Sequence, residues 1–185
     1  MQHLLKVAIL FTAVIILSAC GNNNSSETKS ETADNHDHAA MEQTQTATSG
    51  NPVLKNDKLN AVYQHYIHLT TALIKGDVAE AKIASNAIET GTKDVVGASG
   101  IATAASKITA ATNIEIQRTA YYDISKDMVA LIKKEGLSSG ELYIAHCPMA
   151  FNDKGASWIS TSKEIRNPYF GEKMLSCGEV KETID

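Results

Sequence analysis

The stretch "DMVALIKKEGLSSGELYIAHC", Asp127 to Cys147, holds the change of period that decides the fold. Before Gly136 the apolar residues Met128, Leu131 and Ile132 recur at spacings of three and four, the signature of one helical face. Lys133 and Lys134 suit the negative end of that helix, and Gly136 supplies its stop. Beyond the glycine the helical period is gone, and "ELYIAHC" is a short β-prone run. A helical part ends here and a strand-bearing part begins.

Working upstream, the same helical face continues through Tyr121, Ile124 and Ser125, and Thr112 with Glu115 reads as the capping box that opens it. Three more helical patterns precede it. Asp57 is placed to cap a helix with Leu59, Val62, Tyr63, Tyr66, Leu69 and Leu73 on one face and Gly76 as its stop. Asp77 with Glu80 starts a second through Ala81, Ala84 and Ile88, ending near Gly91. A break at Gly97 to Gly100 precedes a shorter third pattern, Ile101, Ala104, Ala105 and Ile108. Short links between four such helices predict an antiparallel bundle.

Downstream, "ASWIS" is a second β-prone run, joined to the first by Asn152-Asp153-Lys154-Gly155, a hairpin-type link. Pro148 removes a ladder donor directly after Cys147 and predicts an edge strand or a bend. Asn167-Pro168 and Gly171 mark a further turn, and Trp158 is expected to pack the hairpin core rather than to contact a bound cation. The predicted fold is mainly α: an antiparallel four-helix bundle with a small C-terminal β-hairpin and loop cap from about residue 137 to 185.

The first twenty residues, "MQHLLKVAILFTAVIILSAC", have one basic residue, Lys6, an apolar run from Val7 to Leu17, and small residues before Cys20. This is the layout of an export signal, with a run too short to span a membrane. Leu17-Ser18-Ala19-Cys20 resembles the bacterial lipobox, which makes Cys20 a lipidated anchor and residues 1–19 a signal peptide. Residues 20–52 are polar and nearly free of large apolar side chains, and read as a tether between the membrane and a domain at 53–185. His36, Asp37, His38 and Met41 in the tether are either solvated linker residues or weak ligands for a metal ion. The chain is thus expected to be exported and anchored to the cell envelope, facing the periplasm.

The net charge of the 185 residues is -4, and removal of the signal with Lys6 makes it -5. Nucleic-acid binding has no electrostatic support at that balance. No Gly-rich phosphate loop, paired-carboxylate motif, CxxC or G-x-S-x-G motif is present, so neither an enzyme nor a small-molecule substrate is predicted. His146 and Cys147 are adjacent on a strand, where their side chains diverge, and cannot serve each other as base and nucleophile.

The sulfur residues carry the remaining signal. On a strand, Cys147 and Met149 share a face while His146 points to the other. Met174 and Cys177 are three apart, which brings both to one side of a helical turn. Cys147, Met149, Met174 and Cys177 together would form a soft donor set suited to Cu(I), with His146, His65 and His68 as further nitrogen donors or, more plainly, satisfied surface histidines. The competing reading is a Cys147–Cys177 disulfide with both methionines packed around it. It would close a loop of about thirty residues, worth about 3 to 4 kcal/mol in the chain-entropy account, in a compartment where disulfides persist. Inert free thiols are the third alternative.

The segment "LYIAHCPMAFNDKGASWISTSKEIRNPYFGEKMLSCGEV" resembles the C-terminal signature of an uncharacterised bacterial domain family, through its Cys-Pro-Met, Trp, Asn-Pro-Tyr-Phe-Gly and Met-Leu-x-Cys-Gly elements. The resemblance extends over about Leu59 to Ile184. Members of that family occur as small exported lipoproteins and attached to periplasmic adaptor subunits of copper and silver efflux pumps. The resemblance implies a link to metal handling by association and assigns no ligand. The expectation is a lipoprotein that binds or senses Cu(I) or Ag(I) in metal homeostasis or efflux. The alternative is a disulfide-stapled interaction module that docks on an efflux adaptor or another envelope protein without binding metal.

Overall fold

A computed structural model of the chain describes residues 51–185. The stretch expected to be a signal peptide, Cys20 and the His36, Asp37, His38 and Met41 group lie outside the described residues. Among the described residues no helix is long and apolar enough to cross a membrane.

Four helices come first: α1 (Asp57–Lys75), α2 (Val78–Gly91), α3 (Ser99–Ala110) and α4 (Ile114–Glu135). Each packs against the next in sequence, as short connections require. The apolar faces named above are the buried faces, with Leu59, Val62, Tyr66, Leu69, Leu73, Ile88, Ile101, Ile108, Ile124 and Met128 all sealed from solvent. Each large apolar side chain of this kind contributes about 1.5 to 3 kcal/mol on burial.

The helix starts differ from expectation at two of four positions. The Asn56 side chain, not that of Asp57, accepts the Leu59 amide and caps α1. Asn113, not Thr112, accepts the Ile116 amide and caps α4. In each pair two competent caps are adjacent, and the one with extended backbone takes the role. The capping box at Thr112 and Glu115 therefore does not form, and Glu115 is left to pair with cations. Asp77 caps α2 as expected.

After Gly136 the chain is β-structured. Strand β1 (Val53–Leu54) pairs antiparallel with β2 (Leu137–Ser139), tying the start of the domain to the end of α4. The hairpin of β3 (Leu142–Cys147) and β4 (Ala156–Ser160) forms with Ala145 opposite Trp158 and Cys147 opposite Ala156. A third strand, β5 (Glu179–Ile184), covers the other side of β3 in the order β4-β3-β5. Strand β3 is thus central, and Pro148 marks its end at a bend rather than an edge. The architecture is mainly helical with small antiparallel sheets on the C-terminal side.

The sheet is fastened to the helices by buried hydroxyls. Tyr66 Oη on α1 accepts from the Ile159 amide of β4 at 3.0 Å and from Tyr121 Oη of α4 at 2.8 Å, and meets Ser125 Oγ at 2.9 Å. Thr70 Oγ1 reaches Tyr121 Oη at 2.7 Å. Burial raises the Tyr66 hydroxyl above the usual phenol value and the Tyr121 hydroxyl well above it, and keeps both neutral.

Candidate functional site

Cys147 is the last residue of β3 and has no exposed surface. Cys177 lies 30 positions on, between a 3₁₀ turn (Gly171–Met174) and β5, and is partly exposed. Their Sγ atoms face each other at 2.6 Å, and both cysteines are free. The structure therefore brings the two thiols together without the disulfide that the sequence offered as one alternative.

Much of the C-terminal segment is arranged to hold Cys177 there. Asn167 is fully buried, and its Nδ2 donates to the Cys177 carbonyl at 2.8 Å. Its Oδ1 accepts from the amides of Tyr169 and Phe170 at 2.8 and 3.2 Å, and its own amide donates to the Leu175 carbonyl. The Cys177 amide donates to the Met174 carbonyl. Gly178 has φ +132, and a Cβ there would lie 2.8 Å from the His146 carbonyl and 3.0 Å from the Trp158 ring, so only glycine lets the chain pass so close to β3.

The loop is anchored to the helices through Arg118 of α4. This side chain is almost wholly buried, yet it is satisfied: Nε donates to the Pro168 carbonyl, Nη2 to the Leu73 carbonyl and Nη1 to Glu115 Oε1. Gly171 fits beneath it, since a Cβ would fall 2.3 Å from Arg118 Nη2. Tyr169 fills the space between loop and helices, donating to the Ser157 carbonyl at 2.7 Å and packing on Tyr121, Phe151 and Trp158 with ring centroids 5.4 to 6.0 Å away. Trp158 is 1% exposed and is a core residue, as expected.

The methionines are sorted differently from expectation. Met149 follows β3 with helical backbone angles, so strand alternation stops at Cys147 and does not align the two residues. Met149 is half exposed. Both Met149 and Met174 line a cleft of about 620 Å³ with Phe151, Tyr169, Phe170 and Lys173. The Cys147 with Met149 alignment, read from strand alternation, does not form, whereas Met174 and Cys177 stay on one turn; the two thiols meet, with a thioether-lined cleft beside them. The link after Met149 is unusual too: Phe151, Asn152 and Asp153 all have φ between 54 and 63, a left-handed run that carries the chain back into β4.

His146 does not join the sulfurs. Its ring lies on the opposite face of β3, with Nδ1 3.0 Å from Ser157 Oγ, and lines a separate cleft with Lys126, Lys133 and Lys154. Its inclusion in the donor set is corrected by strand alternation. His68 pairs with Glu80 at 2.7 Å and His65 is exposed on α1. Among the described residues no group of three or more His, Cys, Asp and Glu side chains is arranged to hold a metal ion.

The hydrogen bond with Cys147 and partial burial push the Cys177 thiol from its ordinary 9.0 up to about 11, against a small opposing effect of the Met149 amide. The resting thiol is therefore protonated at neutral pH. A soft ion bound to both sulfurs at about 2.3 Å from each would need them well apart, so at 2.6 Å no ion fits between them. The donor chemistry fits a soft cation, and the spacing requires Cys177 to move off Cys147 before one enters.

The family described as "Protein of unknown function (DUF3347)" matches residues 62–140. The match covers less than half of the 185 residues. It runs from within α1 to just past β2 and stops before β3, so Cys147, Met149, Met174 and Cys177 all lie outside it. No curated protein and no solved structure matches the chain. The helical part is thus similar to an uncharacterised domain family.

Proposed function

We propose that this chain is an exported lipoprotein, anchored through Cys20, whose cap captures a soft cation, Cu(I) or Ag(I), in metal homeostasis or efflux. The observation that carries this reading is the concentration of sulfur. Of the described methionines, Met128 is buried among the helices, whereas Met149 and Met174 line the cleft beside the only two described cysteines. A half-exposed thioether at Met149 has little packing to justify it, and thioether and thiolate are the donors Cu(I) selects. The four antiparallel helices of the proposed bundle act here as the support for that cap.

The test is a competition between the full, reduced chain and a cuprous chelator. The reduced chain should withdraw one Cu(I) from the chelator, and the Cys147→Ser, Cys177→Ser double variant should not. Equal withdrawal by both would refute the reading.

A second reading, a module that docks on an efflux adaptor or another envelope protein, is favoured by the same cleft. With Phe151, Phe170 and two methionines on its walls, it has the adaptable apolar lining that suits a partner's side chain. Loss of binding to an isolated adaptor on Met149→Glu substitution, with no Cu(I) uptake by the parent chain, would select it.

A further inference from the structure

The two cysteines are chemically unequal. Cys147 has no exposed surface and is hydrogen-bonded into the central strand, while Cys177 is partly exposed and sits in an irregular segment. The two sulfurs are 2.6 Å apart, so a reagent from solvent meets Cys177 first, and Cys147 stands directly behind it. The thioether-lined cleft borders this point through Met149 and gives an attached group a place to lie.

We propose that Cys147 and Cys177 form a thiol–disulfide exchange site in which Cys177 meets an external disulfide and Cys147 resolves the product, and that the closed pair refuses the soft cation. The external reactant is a low-molecular-weight or protein disulfide, RSSR. The Cys177 thiol loses its proton, and its sulfur attacks one sulfur of RSSR, breaking the S–S bond and releasing RS⁻. The Cys147 thiol then loses its proton, attacks Cys177 Sγ and expels the second RS⁻. Both thiolates take up the two protons, so two cysteine thiols are oxidised and one disulfide is reduced to two RSH. Closure requires a small movement of two sulfurs already aimed at each other, whereas cation entry requires them to separate. The two events compete for the same pair. The refusal half of the proposal rests on the soft-metal reading; the exchange half does not.

The experiment uses the full chain, reduced, freed of reductant and exposed to oxidised glutathione, then quenched in acid and mapped by peptide so that Cys20 is scored apart. The parent chain should pass through a glutathione adduct on Cys177 and end as the Cys147–Cys177 disulfide. In Cys147→Ser the adduct on Cys177 should persist. In Cys177→Ser, Cys147 should react at least about tenfold more slowly than Cys177 does, as expected of a buried thiol. Trp158 emission checks that each variant keeps its cap, and the early adduct in the parent needs no variant at all. A first adduct on Cys147, or two thiols left free, would overturn the exchange site. Chelator competition on the closed and reopened chain tests refusal separately. Uptake only after reopening supports it, equal uptake by both forms overturns refusal alone, and uptake by neither removes the metal reading while the glutathione result still decides the exchange site.

Discussion

The helices and the cap solve the problem of stability in different ways. In the helical part, four apolar faces close on one another around Leu, Ile, Ala and Val, with one buried hydroxyl network between α1 and α4. In the cap, Leu142, Trp158, Ile159 and Tyr169 join the same apolar core, and the loop that carries Cys177 is set in addition by polar contacts. Asn167, Arg118 and Tyr169 satisfy carbonyls and amides of distant segments, and two glycines let strands and loops approach within contact. The difference has a functional consequence. A packed helical core tolerates conservative exchange, whereas a polar network fails when one member is lost. Polar networks of this kind set positions, and the position set here is that of Cys177 against Cys147.

The contrast is broken most severely by Asn167→Ala. The substitution leaves the Cys177 carbonyl and the amides of Tyr169 and Phe170 without partners, at a cost of about 2 to 4 kcal/mol. Hydrogen exchange should show β5 and the segment 165–178 losing protection while α1 to α4 keep theirs. Uniform loss throughout would show that cap and helices are one cooperative unit.

Tyr66→Phe cuts the tie between the two regions. It strips the Ile159 amide and Tyr121 hydroxyl of an acceptor and should cost about 1 to 3 kcal/mol by denaturant titration. Removal of Leu69, in contrast, should act on the helices through cavity formation.

A sharper comparison comes from two methionines. Met149→Leu should leave stability within about 1 kcal/mol and weaken Cu(I) binding about tenfold, whereas Met128→Leu should leave Cu(I) binding unchanged and cost up to about 1.5 kcal/mol. Equal effects on metal binding would erase the distinction between support and site.

The smallest effect is a pH dependence. The folded-state thiol of Cys177 lies above its unfolded value, so its contribution to the stability of the reduced protein is complete below about pH 9 and fades as pH rises toward about 11. Because the side chain is partly exposed, the parent should lose only slightly more stability than Cys177→Ser across that window, and the difference between the two should be constant with pH below it.

What could be read before folding divides along the same line. The helix faces were legible because a 3.6-residue period is a local property, and every face residue named from it is buried. The hairpin was legible from β-prone runs around a turn. Strand β5 was not, because "EVKETI" is charged and mostly exposed, and it gains its place only by pairing with β3. Arg118 gave no signal either: nothing in a helical Glu-Ile-Gln-Arg run tells that the guanidinium will meet the carbonyls of Pro168 and Leu73. The sulfur residues were legible as a group, and the approach of Cys147 to Cys177 was among the readings their count allowed. The place of Met149 was not, because strand alternation ends at Cys147 and the chain turns there.

The central claim is that the cap sulfurs, and not His36, His38 or His146, take a soft cation. X-ray absorption at the copper edge on the full chain, loaded with one Cu(I) under reducing conditions, tests it directly. The account predicts a shell of sulfur scatterers alone, at about 2.2 to 2.3 Å, lost in the Cys147→Ser, Cys177→Ser variant. A shell of nitrogen or oxygen, or an unchanged spectrum in that variant, would contradict it.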